Sequence, residues 1–272
     1  MSQEVIRLDV EGAVKEKLKG RYIPKLFLLW LKHIIHEDTF NEFFAKHPDL
    51  KDYEFIREVI GPNLLNVSVF NQGIENLPDD DEPVIFVSNH PLGGLDGMIL
   101  ALLLGDYRNY NVKVIVNDLL MHLKPLQGIF VPVNIYGGQS RDAAKYLSDV
   151  YKSDYDILTF PAGACSRKID GKVQDMTWKK SFIQKAIESK RKVVPIHFEG
   201  QNSRFFYNLA LWRKKLGIKF NIELLFLPNE MFKAAGQLFT VKIGKPIDYT
   251  TFDSSRTPQQ WAQWVREQCY AL

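Results

Sequence analysis

The chain has 272 residues, of which 46% are hydrophobic and 25% charged, a composition that supports one large domain or one domain with a small appendage. Lysine and arginine together number 35 against 32 acidic residues, so the net charge of +3 is too small to indicate a nucleic-acid-binding protein. The two cysteines, Cys165 and Cys269, form neither a disulfide framework nor a metal-binding spacing, which favours a reducing compartment and predicts no bound metal.

An acidic turn at residues 76–83 divides the chain into two parts. Residues 1–75 are predicted to be an N-terminal helical segment that associates with a membrane, and residues 76–272 an α/β domain. The sequence begins without the apolar run of a signal peptide. Its most apolar early run, residues 26–31, is about a third of the length of a membrane-spanning helix, so we expect no span.

Residues 24–44 are predicted to form a helix, because proline is accepted in a first helical turn. Such a helix would lie in the membrane interface, with its tryptophan at headgroup level and its lysines facing anionic lipid. Packing against the sheet is the alternative. Its apolar face contains Leu26, Phe27, Trp30, Ile34 and Phe44. The residues predicted to associate with the membrane are Lys25, Phe27, Trp30 and Lys32.

Basic residues cluster at three places, residues 15–25, 190–192 and 213–219. Such clusters suit an anionic membrane surface, or they are solvated helix surfaces.

Six apolar runs beyond the acidic turn are predicted to be β-strands: residues 84–88, 112–116, 129–133, 156–160, 192–198 and 239–244. Near-continuous apolar runs indicate strands that are buried on both faces of a sheet. Helices are predicted at residues 95–105, 140–152, 177–190 and 203–216. This alternation predicts an α/β fold with a mostly parallel central sheet flanked by helices. Ligands in such folds bind beyond the carboxyl ends of the strands.

A His-Pro pair and two glycines follow the first of these strands, in the sequence VSNHPLGGLDG. Pro91 disfavours a helical conformation at His90, which therefore lies at the carboxyl end of the strand, and Asp96 lies in the first turn of the next helix. Residues six apart on one regular helix face different ways, so only the glycine turn can bring the two side chains together. If they meet, Asp96 orients the imidazole of His90 as a base. If they do not, His90 is a turn residue and Asp96 a helix cap.

A second turn, in FPAGACSRK, follows the strand predicted at residues 156–160. Pro161 and Gly163 form this turn, and the residues after it offer a hydroxyl and two cations that suit an anionic head group. A solvent-facing basic loop is the alternative. The three residues are Ser166, Arg167 and Lys168.

These two blocks and a later Val-Pro-Ile strand resemble the glycerolipid O-acyltransferases of the 1-acylglycerol-3-phosphate type, over about residues 84–245. The matching motifs are Asn89-His90 with Asp96, Phe160-Pro161-Ala162-Gly163 with Ser166-Arg167, and Val194-Pro195-Ile196. Five residues, not four, separate His90 from Asp96, alanine replaces the glutamate of the second motif, and its arginine stands one place later. These departures resemble a bacterial branch that contains ornithine- and glycine-lipid acyltransferases and hemolysin-like proteins.

The resemblance implies a membrane-associated enzyme that moves an acyl group to a lysolipid hydroxyl, with His90 as the base and Asp96 as its orienting group. The acyl donor would be a thioester of acyl carrier protein or coenzyme A, with no bound cofactor. The acceptor would be a lyso-ornithine or lyso-glycine lipid, or 1-acylglycerol-3-phosphate, at the cytoplasmic face of the inner membrane. The substrate-binding residues implied are Asn89, Arg141, Gly163, Ser166, Arg167 and Lys168.

Two other functions remain open from the sequence. A hydrolase would use Cys165 as its nucleophile, although Arg167 stands where the second glycine of a nucleophile elbow is required. A non-catalytic, lytic membrane protein would use only the basic N-terminal helix. His197 is a second candidate base, but its place in a predicted buried strand favours a core histidine.

Overall fold

The computed structural model describes residues 7–17, 22–78, 82–134 and 141–272. The helices are α1 (Val10–Lys17), α2 (Lys25–Ile35), α3 (Glu37–Lys46), α4 (Asp52–Ile60), α5 (Gly94–Tyr107), α6 (Arg141–Lys152), α7 (Ser181–Ser189), α8 (Arg204–Lys215), α9 (Leu227–Lys233) and α10 (Pro258–Tyr270). The strands are β1 (Ser68–Gln72), β2 (Ile85–Ser88), β3 (Val112–Asn117), β4 (Phe130–Val133), β5 (Asp156–Thr159), β6 (Arg167–Ile169), β7 (Lys172–Gln174), β8 (Val193–Glu199) and β9 (Leu238–Ile243).

Within the described ranges, seven strands form one sheet in the order β1-β9-β8-β2-β5-β3-β4. Five neighbouring strands, from β8 to β4, run parallel, whereas β9 is antiparallel to β8 and β1 is parallel to β9. The predicted α/β fold with a mostly parallel sheet is therefore confirmed. All six predicted strands are present, and β6 and β7 form a separate antiparallel hairpin.

The central strands are buried on both faces, as their continuous apolar runs predicted. Residues 84–87 are all 0% exposed, and β2 lies between β8 and β5. Ile85 and Val87 belong to one buried cluster with Phe182 of α7 and Val265 of α10. This packing fixes the carboxyl end of β2, where the candidate site begins.

The helix predicted over residues 24–44 is broken at His36, so this prediction was wrong in its continuity. His36 has φ +58° and ψ +41°, a left-handed conformation that histidine adopts more readily than most residues. Its Nε2 lies 3.1 Å from Oδ1 of Asn229, and its ring stacks on Phe232 with the centroids 4.1 Å apart. These contacts to α9 favour the break between α2 and α3.

Helix α7 begins at Ser181, four residues later than predicted. The intervening segment is held by contacts outside a helix, because Trp178 donates from Nε1 to Asp175 and Lys179 donates its backbone N–H to the carbonyl of Pro161.

The chain forms two compact units whose limits differ from a division at residue 75. One unit contains the described residues up to Leu50 together with Asn202–Ala235, and it is helical. The other contains the described residues of Lys51–Gln201 and Gly236–Leu272, and it holds the whole sheet. Helix α4 and strand β1 therefore belong to the sheet-containing unit, although they precede the acidic turn.

Candidate active site

His90 and Asp96 meet at the carboxyl end of β2. His90 lies two residues beyond the strand, and Asp96 is the third residue of α5. Gly93, between them, has φ +81° and ψ −120°, a conformation that is accessible to glycine and strained for other residues. The turn brings Nδ1 of His90 within 2.9 Å of Oδ1 of Asp96. Of the two alternatives that the sequence left open, the structure has the one in which the side chains are paired.

The carboxylate of Asp96 is fully buried and faces two donors. Its Oδ2 accepts the backbone N–H of Leu92 at 2.8 Å, while its Oδ1 faces the imidazole of His90. Its position in the first turn of α5 also stabilises the negative charge. Because an ionised carboxylate only accepts hydrogen bonds, this contact places the proton of a neutral imidazole on Nδ1 and leaves a lone pair on Nε2. Nε2 is therefore available as a base.

The imidazole of His90 is held on a second side by Phe160, which follows β5. The two rings stack with centroids 4.0 Å apart and planes inclined by 27°. Burial disfavours the protonated imidazole, but the carboxylate of Asp96 and the more distant Asp175 outweigh this effect, so the pKa of His90 lies above its ordinary value. Arg167 acts on this pKa in the opposite direction.

The second turn lies against the first. Gly163 has φ +71°, and its N–H donates to the carbonyl of Phe160 at 2.9 Å. The backbone N–H of Ser166 donates to the carbonyl of His90 at 2.7 Å. The two sequence blocks singled out as functional are thus joined by a direct backbone hydrogen bond.

A second connection between the two turns is made by Asp175, a residue that no sequence motif marked as functional. It is 2% exposed, and its Oδ1 accepts the backbone N–H of His90 at 3.1 Å and the hydroxyl of Ser166 at 2.5 Å. Its Oδ2 accepts Nε1 of Trp178 at 2.8 Å. Burial raises the pKa of Asp175, and these hydrogen bonds act against that rise.

Helix α10 supports the same aspartate from the other side. The backbone N–H of Asp175 donates to the hydroxyl of Tyr270 at 2.8 Å, and Arg266 donates to its carbonyl at 3.0 Å. Since these partners come from distant parts of the chain, no periodic signal in the sequence marks Asp175.

The side chains of two predicted substrate-binding residues, Asn89 and Ser166, form hydrogen bonds with other groups of the protein. Asn89 is 3% exposed, and its side-chain amide exchanges two hydrogen bonds with the backbone of Phe198, at 2.9 and 2.7 Å. Ser166 is buried with its hydroxyl on Asp175. These positions favour structural roles, in place of the substrate contacts predicted for both residues.

The three basic residues predicted to bind the substrate differ in their exposure and contacts. Nη1 of Arg167 donates to the carbonyl and to the sulfur of Cys165, at 2.8 and 2.9 Å, so Arg167 folds back over the second turn. Lys168 is exposed in β6. Arg141 is the exposed first residue of α6, which follows β4, three places from β2 in the sheet. The glycine pair 137–138 before it lies outside the described residues.

The two alternative reactive groups, Cys165 and His197, differ in their burial. Cys165 is 4% exposed, with Arg167 against its sulfur. His197 lies within β8, packs edge-on against Tyr270 with the ring centroids 5.3 Å apart, and has its pKa lowered by burial. The environment of Cys165 is that of a core side chain, whereas His197 is only partly buried.

The sequence matches a family described as Acyltransferase over residues 12–272. The chain belongs to this acyltransferase family. Two similar proteins are named lyso-glycine lipid O-acyltransferase. The one from Phocaeicola vulgatus is 46% identical over 270 residues, which are 98% of this chain and 96% of the relative. The one from Bacteroides thetaiotaomicron is 46% identical over 267 residues, 97% of each chain.

A solved structure, that of the 1-acyl-sn-glycerophosphate (LPA) acyltransferase PlsC from Thermotoga maritima, matches 96% of this chain and 87% of that chain. Its TM-score is 0.45 and its sequence identity 16%. The resemblance to acyltransferases that the motifs suggested is confirmed by the family match and the two relatives.

In this acyltransferase, α2 has both buried and exposed apolar residues. Leu28, Leu31 and Ile34 are buried, whereas Leu26 is 82% exposed and Phe27 and Trp30 are 42% exposed each. Leu26 and Ile34 are eight residues apart, about 80° around the helix axis, so one apolar face includes both, and it is exposed at Leu26 and buried at Ile34.

The two lysines predicted to face the membrane differ in their contacts with acidic residues. Lys25 is exposed, but Lys32 lies 3.4 Å from Glu37 and 3.9 Å from Glu11. Within the described ranges, no helix has both the length and the apolar character to cross a bilayer.

Proposed function

We propose that this acyltransferase moves a fatty acyl group from the thioester of acyl carrier protein or coenzyme A to the hydroxyl of a lyso-glycine lipid. The observation that carries the chemistry is the 2.9 Å contact between His90 and a fully buried Asp96 at the end of a parallel strand. The choice of acceptor is supported by the names of two relatives that are 46% identical over nearly the whole chain.

In the proposed reaction, Nε2 of His90 removes the proton of the acceptor hydroxyl as its oxygen attacks the thioester carbon. The C–S bond then breaks, and the imidazolium returns the proton to the departing thiolate. The products are an ester and a free thiol. The substrate supplies the nucleophilic oxygen, so the His90–Asp96 pair needs no serine or cysteine beside it.

The negative charge that develops on the thioester oxygen requires hydrogen-bond donors. The N–H of Gly163 is engaged by Phe160 and that of Ser166 by His90, which removes two donors of the second turn from this role. We assign it to the N–H of Ala164 and to the first turn of α5, whose backbone donors also carry the positive end of the helix dipole.

The carboxylate of the acceptor would be held by Arg167, whose neighbour Ser166 donates its backbone N–H to the carbonyl of His90, with exposed Lys168 beside it. Arg141 is a further candidate from α6.

The enzyme would be peripheral, at the cytoplasmic face of the inner membrane, where acyl thioesters are used. Support comes from the exposed Leu26, Phe27 and Trp30 of α2, since an exposed apolar helix face next to a lysine suits the interface between headgroups and acyl chains.

The test is an acyl-transfer assay with purified protein, in which lyso-glycine lipid is offered with acyl-coenzyme A or acyl carrier protein and the ester is measured by mass spectrometry. We expect wild type to form the diacylated lipid. His90→Ala should lose a factor of about 10² to 10⁴ in turnover. His197→Ala, which removes an imidazole in β8, the strand beside β2, should remain active. Absence of transfer by wild type to lyso-glycine, lyso-ornithine and 1-acylglycerol-3-phosphate acceptors with either donor would refute the proposal.

A further inference from the structure

Helix α8 exposes large apolar side chains along one side. Phe205, Trp212 and Leu216 are seven and four residues apart, so they fall within about 40° of each other around the helix axis. They are 49%, 71% and 72% exposed. The residues that the same helix buries are Phe206, Tyr207 and Ala210. Helix α8 therefore has one apolar side in the protein interior and another in water.

The segment after α8 continues this exposed side and is held in a defined conformation. Nη1 of Arg213 donates to the carbonyl of Ile218 at 2.9 Å, and its Nε lies 2.9 Å from Oε2 of the fully buried Glu223. Gly217 supplies the left-handed turn, with φ +69°. Ile218 and Phe220 remain 40% and 52% exposed. The apolar side chains are thus presented by a fixed loop.

Positive charge is interleaved with these side chains. Residues 204–220 contain no aspartate or glutamate, and Lys214, Lys215 and Lys219 are exposed among the apolar residues. Since Arg213 is engaged with Glu223, the three lysines and the exposed Arg204 are the basic groups of this stretch that face the surroundings. A basic segment that also exposes a tryptophan and a phenylalanine has the chemistry of a surface that enters an anionic lipid headgroup layer.

The surface is continuous with α2 within the helical unit. The ring of Phe226 lies between the two helices, with its centroid 5.7 Å from that of Trp30 and 5.0 Å from that of Phe205. Both contacts are edge-on, and Trp30 and Phe205 remain partly exposed. An aromatic row therefore joins the exposed side of α2 to the exposed side of α8.

We propose that Phe205, Trp212, Leu216, Ile218 and Phe220, with Lys214, Lys215 and Lys219, form a docking face for an anionic lipid bilayer, which we call the α8 face. The inference rests on the proposed function only in that the acceptor is a membrane lipid. Side chains that are exposed by about 70% protrude from the protein, as insertion among headgroups requires, whereas the strongest residues of protein interfaces fill closely packed pockets. This favours a bilayer over an acidic protein such as an acyl carrier protein.

The test compares binding of the full-length protein to phosphatidylcholine vesicles and to phosphatidylcholine mixed with phosphatidylglycerol, measured by co-sedimentation. Trp212→Ala with Leu216→Ala should weaken binding to the mixed vesicles about tenfold or more, because two large apolar side chains no longer leave water. Changing the three lysines to glutamine should remove the preference for anionic vesicles and the salt dependence of binding. The matched control is Phe70→Ala with Leu238→Ala, which removes two side chains of similar exposure from the sheet-containing unit and should bind as wild type.

Acyl transfer to a short-chain acceptor, below its micellar concentration, separates this inference from the proposed function. The α8-face variants should equal wild type in that assay and lose activity only on vesicle-borne acceptor. Unchanged vesicle binding by Trp212→Ala with Leu216→Ala, or an equal loss in the Phe70 and Leu238 control, would overturn the inference. Binding of acyl carrier protein that disappears in the same variants, with vesicle binding intact, would also overturn it. A wild type inactive on both the short-chain and the vesicle-borne acceptors, with either donor, would instead count against the proposed function, and vesicle binding alone would then decide on the α8 face.

Discussion

Replacement of Asp96 by asparagine tests the catalytic pair most directly, because the carboxylate faces two donors at once. Oδ2 accepts the N–H of Leu92, and Oδ1 faces Nδ1 of His90. An asparagine has one oxygen and one NH₂ group, so it can satisfy only one of these donors. The backbone N–H cannot give up its proton, whereas the imidazole can move its proton to Nε2. We therefore expect the amide oxygen to face Leu92 and the NH₂ group to face Nδ1, which leaves no base on Nε2.

The magnitude follows from the cost of the opposite orientation. Turning the amide so that its oxygen faces His90 leaves the buried N–H of Leu92 without an acceptor, at a cost of about 1–3 kcal/mol, so the active tautomer is reduced about 5- to 150-fold. The imidazolium formed during the reaction also loses its carboxylate partner. Together these effects should lower kcat by a factor on the order of 10³ to 10⁴, as expected for the orienting carboxylate of a catalytic triad.

The assay is release of free thiol from acyl-coenzyme A in the presence of acceptor, with the fold checked by thermal unfolding. Asp106→Asn is the matched control, because Asp106 is on the same helix but pairs with Arg57 at the surface, and it should be fully active. An Asp96→Asn enzyme that is folded and keeps more than a tenth of wild-type kcat would refute the assignment of His90 and Asp96 as base and orienting group.

Three further changes give distinct results. Asp175→Asn removes a negative charge that, with Asp96, raises the pKa of His90; because the base must be neutral, the acidic limb of the pH profile of kcat/KM should move to lower pH. An unchanged limb would contradict this. Gly93→Ala should lower the free energy of unfolding by about 1–3 kcal/mol in denaturant titrations, because φ +81° is strained for alanine, whereas Gly94→Ala, with open space around the added methyl group, should be tolerated. Cys165→Ala should keep acyl-transfer activity, and its loss would favour a hydrolase.

The parts of the fold that the sequence predicted have signals along the chain itself. The central strands appear as unbroken apolar runs because they are buried on both faces. The meeting of His90 and Asp96 was one of two alternatives, and it depended on Pro91 and on the glycine turn between them. What could not be predicted was whether the turn closes, since that depends on the positive φ of Gly93 and on the N–H of Leu92.

Other elements of the fold have only weak signals in the sequence, and each has a physical reason. Strand β1 lies at the edge of the sheet and alternates between exposed and half-buried residues, so it lacks the apolar run of the central strands. The hairpin strands β6 and β7 have three residues each, too few for a period to show. The break at His36 is associated with contacts to Asn229 and Phe232, about 190 residues further along the chain, and no pattern within residues 24–44 reveals them.

Asp175 shows why the motif residues alone do not account for the site. A buried carboxylate is costly unless donors satisfy it, and here the donors are the N–H of His90, the hydroxyl of Ser166 and the indole of Trp178. Two of these belong to the turns that bear the base and the proposed anion-binding arginine, so the spacing between base and anion site depends on a residue in neither motif. Ser166 fits this scheme better as a support for the second turn than as a substrate ligand. The arginine-bearing turn is therefore positioned by the same carboxylate that holds the backbone of the base, and the two motifs act as one hydrogen-bonded unit.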